Sequence, residues 1–97
     1  MQDAGLTLLL IARIPPNGVA AFQEYEARVL PILAAHGGVL QRRLRSADQQ
    51  IEVHVVWFPS AAQFDAYRND PRRTEHAALL ERSGASSELL RLDDVTD

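Results

Sequence analysis

Two stretches of this chain are apolar on both sides of an extended backbone, and they lie far apart in the sequence. Leu6 to Ile14 places Leu8, Leu10, Ala12 and Ile14 on one side and Thr7, Leu9, Ile11 and Arg13 on the other. Ile51 to Phe58 places Ile51, Val53, Val55 and Trp57 opposite Glu52, His54, Val56 and Phe58. A strand with two apolar faces needs cover on both, which makes these two the centre of a sheet. Val39 to Arg45 and Glu88 to Leu92 also read as strands, but they carry Arg42, Arg43, Arg45, Glu88 and Arg91. Charge is a common defence of an exposed sheet edge, so these two belong at the rims.

The intervening segments read as helical. In Val19 to His36, the residues Phe22, Glu26, Val29, Leu33 and His36 share one side, with Tyr25 and Ile32 beside them. Pro31 has no N–H to give the carbonyl of residue 27 and should kink this helix. Gly37-Gly38 ends it, because glycine reaches the left-handed cap conformation without a steric penalty. Ser46 to Gln50 turns the chain between the second and third strands. Ser60 and Gln63 fit a capping box opening a short helix through Phe64 and Tyr67. Asp70-Pro71 fits an N-cap with proline at the first helical position, and helix then runs to about Ser83, where Gly84 stops it. Met1 to Gly5 is a polar lead-in and Asp93 to Asp97 an acidic tail.

The order β-α-β-β-α-β, with the second helix split, is the ferredoxin-like α+β plan with a four-stranded antiparallel sheet. Its 97 residues make one domain, 1–97. Both helical regions lie on one sheet face in this plan, which leaves the other face open and apolar. A patch of that kind marks an interface, and its simplest closure is a two-fold homodimer, sheet against sheet. A chain this short buries only about two-thirds of its unfolded surface, which adds to the case for association.

Charge and residue content narrow the function. The net charge of −3 gives no electrostatic footprint for nucleic acid. There are no cysteines, which excludes disulfides, thiol nucleophiles and thiolate metal sites. The longest apolar run, Leu8 to Ala12, is far short of the about 20 residues of a membrane span, and nothing resembles a signal peptide. A soluble, cytoplasmic protein without membrane or nucleic-acid partners is expected.

Several junctions are familiar. The segment ARIPPNGVAAFQEYEARVLPILAAHGG, then VVWFPSAAQFDAYRNDP, then LLERSGASSELLRL, resembles the dimeric α/β-barrel superfamily. Within it, the likeness is closest to the uncharacterised domain-of-unknown-function-thirteen-thirty family. Ala35-His36-Gly37-Gly38, Phe58-Pro59-Ser60, Tyr67-x-x-Asp70-Pro71 and Arg82-Ser83-x-Ala85 carry it. The resemblance implies a ferredoxin-like protomer and a sheet-to-sheet homodimer, without a known reaction. Similar folds include cofactor-free quinone-forming monooxygenases, haem-degrading enzymes and lactone isomerases.

The leading catalytic candidate is His36, at a helix C-terminus and in line with the buried stripe, where it could act as general acid or base. The plain alternative is a helix cap. His54 enters a cleft if Glu52, His54 and Val56 face the helices, and an interface if they face a partner; the interface reading is preferred. His76 lines a pocket or lies at the surface. Tyr25 and Tyr67 suit a pocket wall with a hydroxyl toward a ligand, although such residues are more often core anchors. Arg13 either pairs with a carboxylate such as Glu26 or Glu52 or binds an anion, with pairing preferred. No histidine pair has metal-ligand spacing, and there is no nucleophile elbow, phosphate loop or dinucleotide fingerprint, so no metal and no cofactor are expected.

Two functions remain. One is a protein that binds a small organic molecule between sheet and helices, with His36, Arg13, Tyr25, His54, Tyr67 and His76 as candidate lining. If catalytic, it would run cofactor-free proton transfer or oxygenation of an aromatic or polyketide-like substrate, as a monooxygenase or isomerase. The other is a non-catalytic dimerisation or interaction module, which predicts no enclosed pocket.

Overall fold

The computed structural model describes residues 5–95. Most of the polar lead-in and the last two residues of the acidic tail lie outside the described residues; Asp93 to Val95 form no regular element. Four strands, β1 (Leu6–Arg13), β2 (Val39–Arg45), β3 (Ile51–Phe58) and β4 (Ser86–Leu92), form one antiparallel sheet in the order β2-β3-β1-β4. The two apolar strands are central and the two charged strands are at the rims, as the ferredoxin-like plan requires. β4 begins two residues before the expected Glu88, because Ser86 and Ser87 extend the ladder opposite Arg13 and Ala12.

The helices are α1 (Val19–Val29), α2 (Ala61–Arg68), α3 (Pro71–Thr74) and α4 (Ala77–Ser83). Helix α1 is shorter than the expected Val19–His36. From Leu30 to His36 the backbone tightens into 3₁₀ geometry with Pro31 in its first turn. The reason is the missing N–H of Pro31, which breaks the α-helical ladder there. Gly37, at φ 74°, closes this stretch in the left-handed conformation that only glycine adopts freely. Gly18 is needed for contact instead: a β-carbon there would overlap the Ser83 carbonyl at the end of α4.

Local sequence chemistry sets the second helical region. Ser60 Oγ accepts the Gln63 N–H at 3.2 Å and starts α2. Asp70 Oδ1 accepts the Arg72 N–H at 2.8 Å and starts α3. The region breaks once more than expected, with His76 separating α3 from α4.

Both helical regions cover one sheet face. On β1 the covered face carries Leu6, Leu8, Leu10 and Ala12, and the β1–β3 register sets these opposite Phe58, Val56, His54 and Glu52. The main core packs Leu6, Leu8 and Phe58 against Val29, Ile32, Leu33 and Tyr67, and a smaller cluster joins Ala12, Ile14 and Phe22. The opposite face presents Leu9, Ile11, Val53, Val55 and Trp57 at the centre, flanked by exposed Leu44, Leu90 and Leu92. No helix among the described residues is long and apolar enough to cross a membrane.

Candidate functional site

A cavity of about 280 Å³ lies between the covered sheet face and the helical layer. Its walls are mainly apolar, with Leu8, Val56 and Phe58 from the sheet and Val29, Leu33 and Phe64 from the helical layer. Into this setting come Glu26 from α1, His54 from β3, Tyr67 and Arg68 from α2, and Arg73 from α3. Rim strand β4 closes one side with Ser87 and Leu89; the latter is 44% exposed, because no helix covers that edge. The size is at the lower end of the range for small-molecule sites, and an apolar wall with few polar groups is their usual composition.

The polar floor follows from two periodicities. Glu52 and His54 share a face of β3 because strand side chains alternate, and the register with Ala12 and Leu10 turns that face toward the helices. Glu26 is on the buried stripe of α1 with Phe22 and Val29. All three side chains are at most 5% exposed. His54 Nε2 lies 2.6 Å from Glu52 Oε2 and 3.5 Å from Glu26 Oε2. Glu52 also receives Arg43 Nε at 2.8 Å on Oε2 and Arg45 Nε at 2.9 Å on Oε1, both reaching in from β2.

The two carboxylates are therefore treated very differently. Burial alone would raise Glu52, but hydrogen bonds from His54, Arg43 and Arg45 outweigh it and hold the group below the usual carboxylate range. Glu26 has no such donors: its one ion-pair contact among the described residues is the longer one to His54. Burial, reinforced by the nearby Glu52 charge, pushes Glu26 up to about 7. Burial, joined by the Arg43 and Arg45 charges, lowers His54 despite its contact with Glu52, so the imidazole is neutral at neutral pH. The result is a carboxyl that takes up and releases a proton near pH 7 at the floor of an apolar cavity, beside a neutral imidazole. Titratable groups with pKa values pushed apart in this way are a mark of acid–base sites.

One ligand atom from each of Glu26, Glu52 and His54 lies within 4.8 Å of the others. That spacing alone would admit a metal ion. The donor set does not suit one, since each Glu52 oxygen already accepts a guanidinium N–H and a cation there would sit against Arg43 and Arg45.

Arg73 forms the other polar corner. Its Nη2 donates to the Tyr25 hydroxyl at 3.1 Å and its Nη1 to the Arg68 carbonyl at 3.3 Å. Its guanidinium lies 4.5 Å from the centre of the Tyr67 ring. Its Nε is buried and has no hydrogen-bond partner among the described residues. Burial raises both tyrosine hydroxyls above their ordinary pKa, so they remain protonated.

Of the residues nominated from sequence, His54 and Tyr67 line the cavity and Tyr25 adjoins it through Arg73. His54 faces the helices, not the open sheet face where the preferred interface reading put it, because the register with Leu10 fixes its side. His36 is not in the lining. Its Nε2 lies 2.7 Å from Asp70 Oδ2, and its ring meets Tyr67 edge-on at 6.2 Å. His76 is half-buried at the α3–α4 break, outside the lining. Arg13 pairs at the surface with Glu88, at 3.4 Å, and with neither Glu26 nor Glu52. The residues that the sequence reading passes over as site members are Glu26, Glu52 and Arg73. The first two do carry a signal, a carboxylate at a core-facing position of its element, which is rare unless paired or functional. Nothing local marks Arg73.

Neither a protein-family model nor a curated protein matches the sequence. Solved structures share the fold. The cofactor-independent oxygenase SnoaB of Streptomyces nogalater is 20% identical with a TM-score of 0.77, over 98% of this chain and 97% of that one. A candidate antibiotic biosynthesis monooxygenase from Caulobacter crescentus is 13% identical at 0.75, over 95% and 92%. Another from Nitrosomonas europaea is 12% identical at 0.77, over 94% and 99%. The shared architecture is the ferredoxin-like fold. Membership of the domain-of-unknown-function-thirteen-thirty family finds no support in these matches.

Proposed function

We propose that this protein is a small-molecule enzyme of the cofactor-free kind, in which Glu26 removes a proton from a flat, enolisable aromatic substrate bound in the cavity. The observation that carries the reading is the Glu26 carboxyl, buried at the cavity floor and tuned to about 7, where a general base works best near neutral pH. Glu52, fixed by two arginines, holds the neutral His54 ring in place beside it. The likeness in fold to a cofactor-independent oxygenase supports a particular outcome for the carbanion, namely reaction with O₂. An activated methylene plus O₂ then gives a carbonyl plus water: one oxygen atom enters the product and the other leaves with the two hydrogens. If the proton returns to a different carbon instead, the same site is an isomerase.

The assembly proposed with it is a homodimer. The open face, with Val53, Val55 and Trp57 at its centre and exposed Leu44, Leu90 and Leu92 around them, is the surface it would cover. The competing interaction-module reading shares that surface but gives no use for a buried carboxyl in a cavity.

The experiment uses anthrone, a flat substrate with one acidic methylene. Wild-type protein should speed hydrogen–deuterium exchange at that methylene, and Glu26→Gln should lose on the order of 10²-fold or more of the effect. Uptake of one O₂ per anthrone marks the oxygenase; exchange without uptake marks proton transfer alone and removes the oxygenase outcome. No acceleration by wild type, or equal acceleration by Glu26→Gln, defeats the reading. Native mass spectrometry of the same sample reads the subunit count, and a monomer defeats the dimer.

A further inference from the structure

Every arginine in this chain except one is exposed among the described residues, and the exception is Arg73. Six of the others reach a carboxylate: Arg13, Arg28, Arg43, Arg45, Arg72 and Arg91. Arg73 reaches none among the described residues. Instead it is held in place by neutral groups, the Tyr25 hydroxyl, the Arg68 carbonyl and the Tyr67 ring, and its buried Nε is left with a proton and no acceptor. A half-buried guanidinium with no ion pair of its own and a buried N–H left without an acceptor calls for one from outside the chain.

The charge balance of the cavity points the same way. Two guanidiniums line it, Arg73 and the exposed Arg68, which lies 5.2 Å from the Phe64 ring centre. Against them stands one carboxyl, Glu26, since Glu52 is neutralised by its own two arginines. A protein with a net charge of −3 thus holds a cavity that is locally positive. A planar guanidinium fork matches a carboxylate or an enolate oxygen, and the walls of Leu8, Val56 and Phe58 match a flat carbon skeleton.

We propose that Arg73, held from behind by the Tyr25 hydroxyl, is the anion-binding corner of the cavity, and that the ligand is a flat aromatic carrying an ionised oxygen which docks there. The inference rests on the cavity being the ligand site, as proposed above, and adds the charge of the ligand and the residue that selects it. Where the oxygen at this corner starts as a carbonyl, the same residue receives the enolate charge that develops on it as Glu26 takes the proton.

The test compares two probes of equal shape, 2-naphthoate and the neutral 2-naphthamide, by isothermal titration at pH 8. Wild type should bind the anion at least about tenfold more tightly than the amide. Arg73→Gln should lose that preference while keeping its affinity for the amide, and Arg73→Lys should keep part of it. Equal affinity of wild type for the two probes overturns the proposal, and so does absent binding of 2-naphthoate. The wild-type comparison needs no variant, so it stands even if Arg73→Gln fails to fold. A preference that survives in folded Arg73→Gln overturns the assignment to this residue. Anthrone exchange separates the two levels: exchange that persists without anion preference removes only the corner, whereas loss of both removes the cavity reading beneath it.

Discussion

Two histidines of this protein lie almost equally close to a carboxylate, and they have little else in common. His36 Nε2 is 2.7 Å from Asp70 and His54 Nε2 is 2.6 Å from Glu52. Asp70 is itself only 6% exposed, but its carboxylate is fully engaged by donors that open toward water. It caps α3 through the Arg72 N–H and takes the Arg72 guanidinium on both oxygens, and that side chain is 58% exposed. The Arg72 and His36 hydrogen bonds hold Asp70 far below the usual carboxylate range. Around Glu52 the same residue types meet in the dry interior, where a third charge is close. Glu52 takes the donors, and Glu26 is left without them. The comparison shows that the His–carboxylate distance says nothing about function; what matters is whether a nearby group is left unsatisfied in low dielectric.

The largest test of this contrast is to neutralise each central acid. Glu52→Gln removes one charge that Arg43, Arg45 and His54 all face, at a position 1% exposed. Breaking a buried network from one side costs on the order of 3–5 kcal/mol, a large share of the stability of a domain this size. Asp70→Asn keeps a good N-cap and leaves Arg72 in water, so its loss should be far smaller. Urea midpoints at pH 7 read both. Equal losses would mean that the two clusters are not different in kind.

A smaller effect, with the opposite sign, belongs to Glu26. Its pKa of about 7 in the folded protein lies above the ordinary 4.5, so the folded state holds a proton that the unfolded chain releases. The stability it contributes is complete below about pH 4.5 and is lost as the pH rises toward 7. Glu26→Gln mimics the protonated form and escapes that loss. At pH 8 the variant should be more stable than wild type, by ~3 kcal/mol at most, and the two should converge near pH 4. Glu52 runs the other way: its pKa is lowered, so its contribution is present above the unfolded value and disappears as the pH falls through the folded one. Stability curves for wild type and variant between pH 4 and pH 8 that stay parallel would show that Glu26 is not perturbed.

The elements of the fold were legible because their determinants are local. Alternation in Leu6–Ile14 and Ile51–Phe58 sets the central strands, and Ser60, Asp70, Gly37 and Gly84 act on the residues next to them. The site was much less so, because it exists only across elements. Glu26 appears in the sequence as one polar member of an apolar stripe, and its importance depends on Glu52, which arrives only through pairing with Ala12. Which face His54 takes is a matter of register, and a shift of one residue would send it to the open side. Arg73 is next to Arg72 in sequence, yet one turns to Asp70 and the other to Tyr25. That division is set by the packing of α3 on α1 and α2, and nothing in the chain around residue 73 announces it.

The smallest expected effect is the most direct check on where the site lies. His36 is an attractive candidate in the sequence, at a helix end and in line with the core. In the folded protein, though, the His36 and Tyr67 rings meet in a T-shaped contact, and of the two only Tyr67 lines the cavity. His36→Gln can still donate to Asp70, and Asp70 keeps the bonds to Arg72 that dominate its environment. Binding of 2-naphthoate and anthrone exchange should therefore both stay within about twofold of wild type, a difference of less than ~0.5 kcal/mol. The matching change His54→Gln, within reach of both Glu26 and Glu52, should alter the pH profile of exchange. A tenfold loss in His36→Gln with His54→Gln unaffected would move the chemistry to the Asp70 cluster, and the contrast between the two histidines would hold with their parts exchanged.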